Sequence, residues 1–318
     1  HGEYRRQRQM CIRDRLWEAA REKEIAGLCK HDVFEEVLPQ KGKRAIPAQF
    51  VYALKKSESG EVIGHKARVV ACGTPRNTGD MFRGFAKSAP TLSDVALRCI
   101  IVAALQRKLP LYQSDVSQAF LNAKLTHECY VIPPRGAKGV TPGRWWRLKR
   151  ALYGLDISPK LWWATFTAAM EELGYKKLEH EACLYVRRGK SGLVEHICGL
   201  YVDDLVYTDR QLLKDLSKHF DLKDLGHVGH YLGLQLTREN DSTMFVTQTG
   251  FIAEMGKRFG PELTRSCPTP TTGEYLPRID SEDAKVKVDA KQYRSLVGSL
   301  MHAALSLIHI SEPTRHEC

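Results

Sequence analysis

Two adjacent acidic residues interrupt an apolar strand pattern near the middle of this 318-residue chain. The segment GLYVDDLVYTD (residues 199–209) places Asp203 and Asp204 between residues that favour the inside of a sheet. Neighbouring carboxylates repel each other and are costly to desolvate unless a positive charge compensates them. A tight turn between two strands exposes both carboxylates and still buries the apolar residues on either side. The pair therefore predicts a β-hairpin with an acidic tip.

The composition limits the class of protein. The chain is 43% hydrophobic and 27% charged, which suits one or two globular domains, and no apolar run approaches the length of a membrane span. The formal net charge of +11 suits a nucleic-acid binder, although many basic proteins bind no nucleic acid. The nine cysteines form no CxxC motif, which predicts reduced thiols in an intracellular protein.

Both ends of the chain look like the translation of DNA that does not belong to the gene for the rest of the protein. The segments RRQRQMCIRDR (residues 5–15) and LSLIHISEPTRH (residues 305–316) can be encoded by one short DNA read in opposite directions, and both look like a sequencing adapter. We expect residues 1–15 and 305–318 to be adapter-like extensions that make few core contacts, and the natural protein to continue past both ends. Without these ends, the remaining chain is still basic.

Strand and helix patterns alternate along the chain without a regular βα repeat, which predicts an α+β fold. Residues 111–125 begin as a strand and then turn into a helix. The other predicted strands are residues 50–55, 65–71, 183–187, 193–202, 205–208 and 231–236. The other predicted helices are residues 16–28, 95–105 with Ser93 or Asp94 as the cap, 159–173, 214–220, 251–259 and 293–304.

The chemistry of the carboxylates indicates a metal site. Clusters of carboxylate oxygens bind hard divalent cations such as Mg²⁺, which cancel the repulsion between the aspartates. A third ligand is expected, and the best candidate is Asp115, at the switch from strand to helix in QSDVSQAF. Two metals about 3.5–4 Å apart can clamp an in-line phosphoryl displacement. The simpler alternative is that the Asp203-Asp204 pair only forms a turn.

The motif YVDD (residues 201–204) resembles the catalytic motif of reverse transcriptases. The other segments resemble one branch of that family, the copia-type retrotransposon polymerases, and they follow in the same order. These segments are HKARVVACG (residues 65–73), QSDVSQAFLNAKL (113–125), RLKRALYGLDISPKLWW (147–163), FDLKDLGHVGHYLGLQL (220–236) and YRSLVGSLMHAA (293–304).

This resemblance implies a right-hand polymerase fold with fingers, a ferredoxin-like palm and a partial thumb. Residues 16–239 would form the fingers and palm, and residues 240–304 the thumb or a linker toward a missing RNase H. The implied function is that of an RNA-directed DNA polymerase, a nucleotidyltransferase that uses two Mg²⁺ ions, or Mn²⁺ in their place. Its partners would be an RNA or DNA template with primer, dNTPs, and the integrase and RNase H regions of a polyprotein, with no membrane. The family also implies a cytoplasmic particle.

The same resemblance assigns roles to single residues. Asp115, Asp203 and Asp204 would be the catalytic metal ligands, and Phe120 the steric gate that excludes a ribonucleotide 2′-OH. The residues implied in nucleotide binding besides Phe120 are Lys66, Arg68 and Gly154, and those implied in primer binding are Tyr231, Leu232 and Gly233. Simpler alternatives remain for each group: a core aromatic for Phe120, solvated charges for the cations, a plain turn for the glycine and a core strand for the primer segment.

Four positions depart from the family pattern. Cys72 stands where the family has Lys, Ala123 where it has Gly, and Asp156-Ile157 where it has Lys-Gln. Some of these positions align near the nucleotide pocket. They leave a second hypothesis open, in which the chain is a catalytically decayed, nucleic-acid-binding remnant of such an element.

Overall fold

The described part of the chain forms two compact units. The computed structural model describes the backbone of residues 2–56, 61–79, 81–82, 84, 87–259 and 289–304, and the side chains of these residues except 2–14, 56 and 75. The first unit contains residues 1–100 and 112–226, and the second contains residues 101–111 and 227–318. The chain thus passes from one unit to the other after Ile100, after Leu111 and after Gly226. The fingers, palm and thumb boundaries that the sequence suggests stay a prediction.

Helices and strands are both abundant, so the predicted α+β class is confirmed. The helices are α1 (Gly2–Lys30), α2 (Pro75–Thr78), α3 (Asp94–Gln106), α4 (Ser158–Glu172), α5 (Arg210–Leu216), α6 (Thr249–Phe259) and α7 (Ala290–Ala304). The strands are β1 (Phe34–Val37), β2 (Ala45–Lys56), β3 (Val62–Ala71), β4 (Tyr112–Val116), β5 (Tyr130–Ile132), β6 (Trp145–Leu148), β7 (Lys176–Lys177), β8 (Leu184–Arg188), β9 (Val194–Tyr201), β10 (Asp204–Tyr207), β11 (Leu222–His227), β12 (His230–Tyr231), β13 (Leu234–Arg238) and β14 (Met244–Thr247).

Two sheets organise the first unit. A five-stranded sheet has the order β1-β6-β5-β2-β3, so that β3 is an edge strand. A six-stranded sheet has the order β11-β4-β10-β9-β8-β7, with β10 antiparallel to both β4 and β9. Strand β10 follows β9 directly, so the chain turns back on itself at Val202 and Asp203. The predicted hairpin is therefore confirmed, and it lies inside the larger sheet.

Each of the two sheets packs against its own apolar core. Along β3, Ala67, Val69 and Ala71 are buried, and Val69 and Ala71 pack in one cluster with Leu28 of α1 and Trp146 of β6. An aromatic cluster packs α4 against the six-stranded sheet and the segment after α5. It contains Trp162, Phe166, Tyr185 and Phe220, with 5.1 Å between the ring centroids of Trp162 and Phe220.

Caps determine where two helices begin. The Ser93 hydroxyl accepts a hydrogen bond of 3.1 Å from the Ala96 N–H, which confirms the predicted start of α3. The Asp209 carboxylate accepts one of 2.9 Å from the Gln211 N–H. This second cap starts α5 at Arg210, so the predicted helix over residues 214–220 was placed four residues too far along the chain.

Three further predicted elements differ from the structure. The predicted helix within 111–125 is only a short 3-10 turn, Ala119–Asn122, after β4. The predicted strand 231–236 is broken, because Leu232 and Gly233 have φ of +52° and +80° and form a turn. Helix α1 begins at Gly2 rather than near residue 16. The side-chain packing of residues 1–14 and the structure of residues 305–318 lie outside the described part of the chain.

The second unit contains a three-stranded sheet with the order β12-β13-β14. Helices α6 and α7 contact each other within this unit, where the ring centroids of Phe251 and His302 lie 4.7 Å apart. The Gln248 side chain also donates a hydrogen bond of 3.0 Å to the His302 carbonyl. Within the described ranges, no helix has the length and apolar character that a membrane crossing requires.

Candidate functional site

The acidic hairpin has a strained backbone that other residues hold in place. Tyr201 pairs with Asp204, which leaves Val202 and Asp203 as the two turn residues. Val202 has φ of +57°, a conformation that a β-branched residue rarely adopts and that costs about 1–3 kcal/mol. The indole N–H of Trp162, on α4, donates a hydrogen bond to the Val202 carbonyl. The turn is therefore fixed from below, with Asp203 at its tip and Asp204 at the start of β10.

Strand pairing brings the third predicted carboxylate to the same place. Asp115 of β4 lies directly opposite Asp204 of β10, and the Val116 N–H donates a hydrogen bond of 2.8 Å to the Asp203 carbonyl. Residues directly opposite in an antiparallel pair project from the same face of the sheet. The structure thus brings all three predicted aspartates together at the junction of β4 with the hairpin.

A cavity of about 450 Å³ opens beside this junction. Asp115 and Asp203 line it, whereas Asp204 stands outside its lining. The lining also contains Lys66 and Arg68 of β3, both half-buried. Glu24, Lys23, Lys55 and Lys223 line it as well, so the cavity has both carboxylates and cations around a space that can hold a small, highly charged molecule.

Burial and mutual repulsion disturb the ionisation of the acidic groups. Burial, and next the charge of Asp203, raise the pKa of Asp115, while Lys66 and more distant cations lower it. Burial and the charges of Asp203 and Asp115 raise the pKa of Asp204 to about 6. Burial lowers the pKa of Lys66, against the charges of Asp115 and Asp203. A bound cation would relieve the repulsion among the carboxylates.

The donor set fits a divalent cation in type. Carboxylate oxygens are the ligands that Mg²⁺ takes in proteins, and Asp115, Asp203 and Asp204 repel one another when no cation lies between them. Among the described residues, however, no three Asp, Glu, His or Cys side chains stand close enough to form a ready-made metal centre. The three aspartates are therefore suitable ligands for Mg²⁺ in their chemistry. Their side chains would have to move closer together to bind one ion.

The aromatic pair Tyr153 and Phe120 lies beside Arg68. The Arg68 guanidinium lies over the ring of Tyr153, 5.3 Å from its centroid, and the buried Arg68 Nε has no hydrogen-bond partner. The Tyr153 ring in turn lies 5.0 Å from that of Phe120, between centroids. Tyr153 lines the cavity, but the half-buried Phe120 does not. The structure therefore places Phe120 behind Tyr153 rather than on the cavity wall.

Gly154 meets a requirement of packing as well as of conformation. Its φ is +87°, and a Cβ there would lie 2.0 Å from the Ala71 carbonyl oxygen. The neighbouring Tyr153 carbonyl accepts a hydrogen bond of 2.8 Å from the Ala71 N–H. The glycine therefore allows the backbone after Tyr153 to pack closely against the end of β3. A glycine that served only the turn conformation would not need this close approach.

The predicted primer segment lies in the second unit. Tyr231 is buried and pairs with Leu234, so Leu232 and Gly233 form a two-residue hairpin turn with φ positive at both positions. A Cβ on Gly233 would lie 2.6 Å from Nε2 of His302. Within its unit, this turn is thus held against α7.

Comparison with known proteins decides the family. A family model described as "Reverse transcriptase (RNA-dependent DNA polymerase)" matches residues 31–273, which is more than half of the chain. The chain belongs to the reverse transcriptase family. The resemblance to copia-type polymerases is confirmed by curated relatives, which are Pol polyproteins of transposons.

These relatives are much longer than this reverse transcriptase chain. The chain is 30% identical over 299 residues to the retrovirus-related Pol polyprotein from transposon TNT 1-94 of Nicotiana tabacum, covering 89% of this chain and 22% of that protein. It is 26% identical over 310 residues to the corresponding polyprotein from transposon RE1 of Arabidopsis thaliana, covering 94% of this chain and 20% of that protein. The chain spans about a fifth of the length of each.

Among solved structures, the chain is similar to the foamy viral protease-reverse transcriptase, whose structure was determined in complex with dsDNA. The TM-score is 0.44 and the identity 15%, over 92% of this chain and 52% of that one. A second structure, of the foamy viral protease-reverse transcriptase dRH in complex with ds DNA, gives the same TM-score and identity, over 90% of this chain and 42% of that one.

Sequence reasoning missed three residues of this reverse transcriptase site. Trp162 supports the acidic turn, Tyr153 separates Arg68 from Phe120, and the buried Glu24 of α1 lines the cavity. The first two lie in the segment that carries the family resemblance, and their aromatic side chains were the available signal. Glu24 gave no signal, because only tertiary packing brings α1 to β3.

Proposed function

We propose that this chain is the RNA-directed DNA polymerase domain of a copia-type retrotransposon polyprotein. In the proposed reaction, the 3′-OH of a primer attacks the α-phosphate of a dNTP, and pyrophosphate leaves. The observation that carries the proposal is the meeting of Asp115, Asp203 and Asp204 at one strand junction beside a cation-lined cavity, in a chain of the reverse transcriptase family.

The three aspartates would hold two Mg²⁺ ions, or Mn²⁺ in their place. When bound, such ions activate the attacking hydroxyl and neutralise charge on the transferred phosphoryl group. The contribution of the protein would be to aim the carboxylates at one place. The stiff hairpin does this for Asp203 and Asp204, and the β4–β10 pairing does it for Asp115.

The β3 residues of the cavity would bind the nucleotide. Lys66 and Arg68 present positive charge to a triphosphate, and the stacking of Arg68 on Tyr153 holds its guanidinium in one orientation. Phe120 would act as the gate against a 2′-OH through its contact with Tyr153, and Gly154 would keep the loop close enough to β3 for this arrangement.

The remaining assignments rest on the family. Residues 16–239 would act as fingers and palm and residues 240–304 as thumb or linker, with Tyr231, Leu232 and Gly233 at the primer end. The basic charge of the chain would bind the backbone of an RNA or DNA template and its primer, with affinity that falls as salt rises. Integrase and RNase H regions of the same polyprotein, acting in a cytoplasmic particle, would be the further partners.

The alternative is a decayed copy that keeps the fold and binds nucleic acid without catalysis. It is favoured by Cys72 and Asp156-Ile157, which are three of the four departures from the family pattern. The structure accommodates three of the four departing positions: Asp156 pairs with Lys87 at 2.7 Å, and Ala123 and Ile157 are buried in the core. The fold therefore tolerates these residues, and only activity separates the two hypotheses.

Primer extension with Mg²⁺ tests the proposal. Wild type should extend a DNA primer on an RNA template, and Asp203→Asn should abolish extension while leaving template–primer binding intact. Asp224→Asn is the matched control, because Asp224 is an exposed aspartate of the same unit that pairs with Arg210. Wild type that binds template–primer but never extends it would instead support the decayed copy.

A further inference from the structure

A buried carboxylate on α1 lies on the wall of the cavity. Glu24 is only 8% exposed, and with Ala20, Lys23 and Gly27 it lines the same space as Asp115 and Asp203. It precedes residue 31, where the match to the family model begins. A charged group this buried is costly unless hydrogen bonds and opposite charges surround it, so its partners indicate its role.

The first partner is the backbone of the strand that carries the cations. Oε1 of Glu24 accepts a hydrogen bond of 3.0 Å from the Val69 N–H. Strand β3 is the edge of its sheet, so this N–H points away from β2 and toward α1. Val69 directly follows Arg68, and the hydrogen bond therefore fixes the backbone at the base of the Arg68 side chain.

The second partner belongs to the segment that follows Asp115. The Gln118 side chain forms a hydrogen bond with Glu24. Gln118 also lies so close to α1 that a Cβ on Gly27 would be 2.6 Å from its Nε2. Its backbone has φ of +51°, just before the turn that carries Phe120. Glu24 thus bonds to both β3 and the Gln118 segment.

Charge gives Glu24 a role beyond these hydrogen bonds. Burial raises the pKa of Glu24, while the Val69 hydrogen bond and the charges of Arg68 and Lys66 lower it. The other carboxylates of the cavity are Asp115 and Asp203. If the charge of Glu24 were lost, Arg68 and Lys66 would be attracted toward these two aspartates and away from an incoming anion.

We propose that Glu24 is a positioning residue for nucleotide binding. Its buried carboxylate holds Lys66 and Arg68 on the β3 wall, in line with the Gln118 segment, and so sets the affinity for the triphosphate of the dNTP. This inference rests on the proposed polymerase function and adds a residue of α1 to that site.

The test compares Glu24→Gln with wild type in steady-state primer extension. Glutamine keeps an acceptor oxygen for the Val69 N–H but removes the charge. We expect the KM for dNTP and the inhibition constant for pyrophosphate to rise together by about tenfold, with kcat within about twofold, as expected when ground-state and transition-state binding are lost equally. Template–primer affinity and the melting temperature should stay near those of wild type. Glu22→Gln is the control, because Glu22 lies on the same helix and pairs with Lys138.

Other results overturn the inference. An unchanged KM would mean that Glu24 only caps the edge of β3, and a lower KM would mean that its charge merely weakens the cationic wall. If Glu24→Gln does not fold, Gln118→Met tests the hydrogen-bonded part of the arrangement, since it frees the Glu24 carboxylate from the Gln118 segment: the KM for dNTP should again rise, and an unchanged KM would overturn the inference. A wild type without extension overturns the polymerase proposal and this inference together, whereas an active wild type with a normal Glu24→Gln overturns this inference alone.

Discussion

Asp204 lies directly opposite Asp115 across the antiparallel strands β10 and β4. Like charges in this position destabilise a strand pair. Burial, and next the charge of Asp203, raise the pKa of both groups, and the charge of Asp115 adds to the rise for Asp204, whose pKa is about 6. The fold thus keeps two repelling carboxylates at neighbouring positions, which is costly for stability and useful only where a cation is bound between them.

The first prediction concerns stability without metal. Because the pKa of Asp204 is higher in the folded protein than its ordinary value of 3.8, the folded state binds more protons than the unfolded state between these values. The free energy of unfolding should therefore fall as the pH rises from about 4 to above 6. In EDTA at neutral pH, Asp204→Asn should raise it by about 1 kcal/mol, a figure discounted for the solvent exposure of this half-buried group.

Urea unfolding of wild type and variant across this pH range measures the effect. Asp215→Asn is the control, since a hydrogen bond to Lys218 lowers the pKa of Asp215, so that its removal should not stabilise the protein. An Asp204→Asn variant that is less stable than wild type at neutral pH would contradict the repulsion argument. Added Mg²⁺ should stabilise wild type more at pH 7 than at pH 5, because protons compete for the carboxylates.

The second prediction separates close packing from backbone conformation. Gly154 and Gly192 both have positive φ, of +87° and +79°. A Cβ at Gly154 would lie 2.0 Å from the Ala71 carbonyl oxygen, whereas nothing lies within 4 Å of one at Gly192. Gly192→Ala should therefore cost about 1–2 kcal/mol of stability, for the left-handed backbone alone. Gly154→Ala should cost clearly more and should also lower the affinity for dNTP. Equal losses of stability in the two variants would show that Gly154 is only a turn residue.

How much the sequence could predict depends on the range of the interactions. The hairpin at Asp203 and Asp204 was predictable because charge and strand pattern conflict within a few residues. The third carboxylate, Asp115, was found through the family resemblance and its strand-to-helix context. Glu24 was not, because it acts on Val69, 45 positions away, through a backbone N–H that has no sequence signature. Helix α1 itself was predictable, but its contact with the edge of β3 was not.

Local backbone conformation explains the wrong elements. The strand predicted for 231–236 has the right apolar pattern but breaks at Leu232, which adopts a positive φ that is uncommon for leucine. Phe120, predicted as the steric gate, lies in a 3-10 turn in place of the predicted helix and contacts Tyr153 without lining the cavity, so its role as a gate stays a prediction. In both cases a few dihedral angles, which apolar periodicity does not encode, decide where a functional side chain lies.

The third prediction tests the support beneath the acidic turn. Trp162→Phe removes the hydrogen bond to the Val202 carbonyl but keeps most of the buried ring. The strained turn should then relax, so that kcat for primer extension falls by about tenfold or more, since misplacing catalytic groups is costly. Trp163→Phe is a close control. Trp163 lies on the same helix as Trp162, but its indole N–H donates to the Ala182 carbonyl, away from the turn. Equal kcat values for the two variants would remove Trp162 from the support of the site.

The last prediction concerns the choice between dNTP and rNTP. The Phe120 ring contacts that of Tyr153 at a tilt of 56°, and Tyr153 lines the cavity. If Phe120 is the gate, Phe120→Val lets Tyr153 move back and opens the space that a 2′-OH needs, which is the group that distinguishes RNA from DNA units. The ratio of kcat/KM for dCTP over rCTP should then fall by at least about tenfold, even if total activity drops from lost packing of about 1–4 kcal/mol.

The ratio of kcat/KM for dCTP over rCTP, rather than the total activity, decides whether Phe120 is the gate. Loss of packing alone lowers both kcat/KM values together and leaves their ratio unchanged. Phe50→Val provides that reference, because Phe50 is a half-buried aromatic of β2 that packs on the core of the same unit. Tyr153→Phe should keep the wild-type ratio, since it preserves the ring that transmits the position of Phe120. A Phe120→Val ratio that matches Phe50→Val would assign Phe120 to the core and leave discrimination against ribonucleotides to the cavity wall itself.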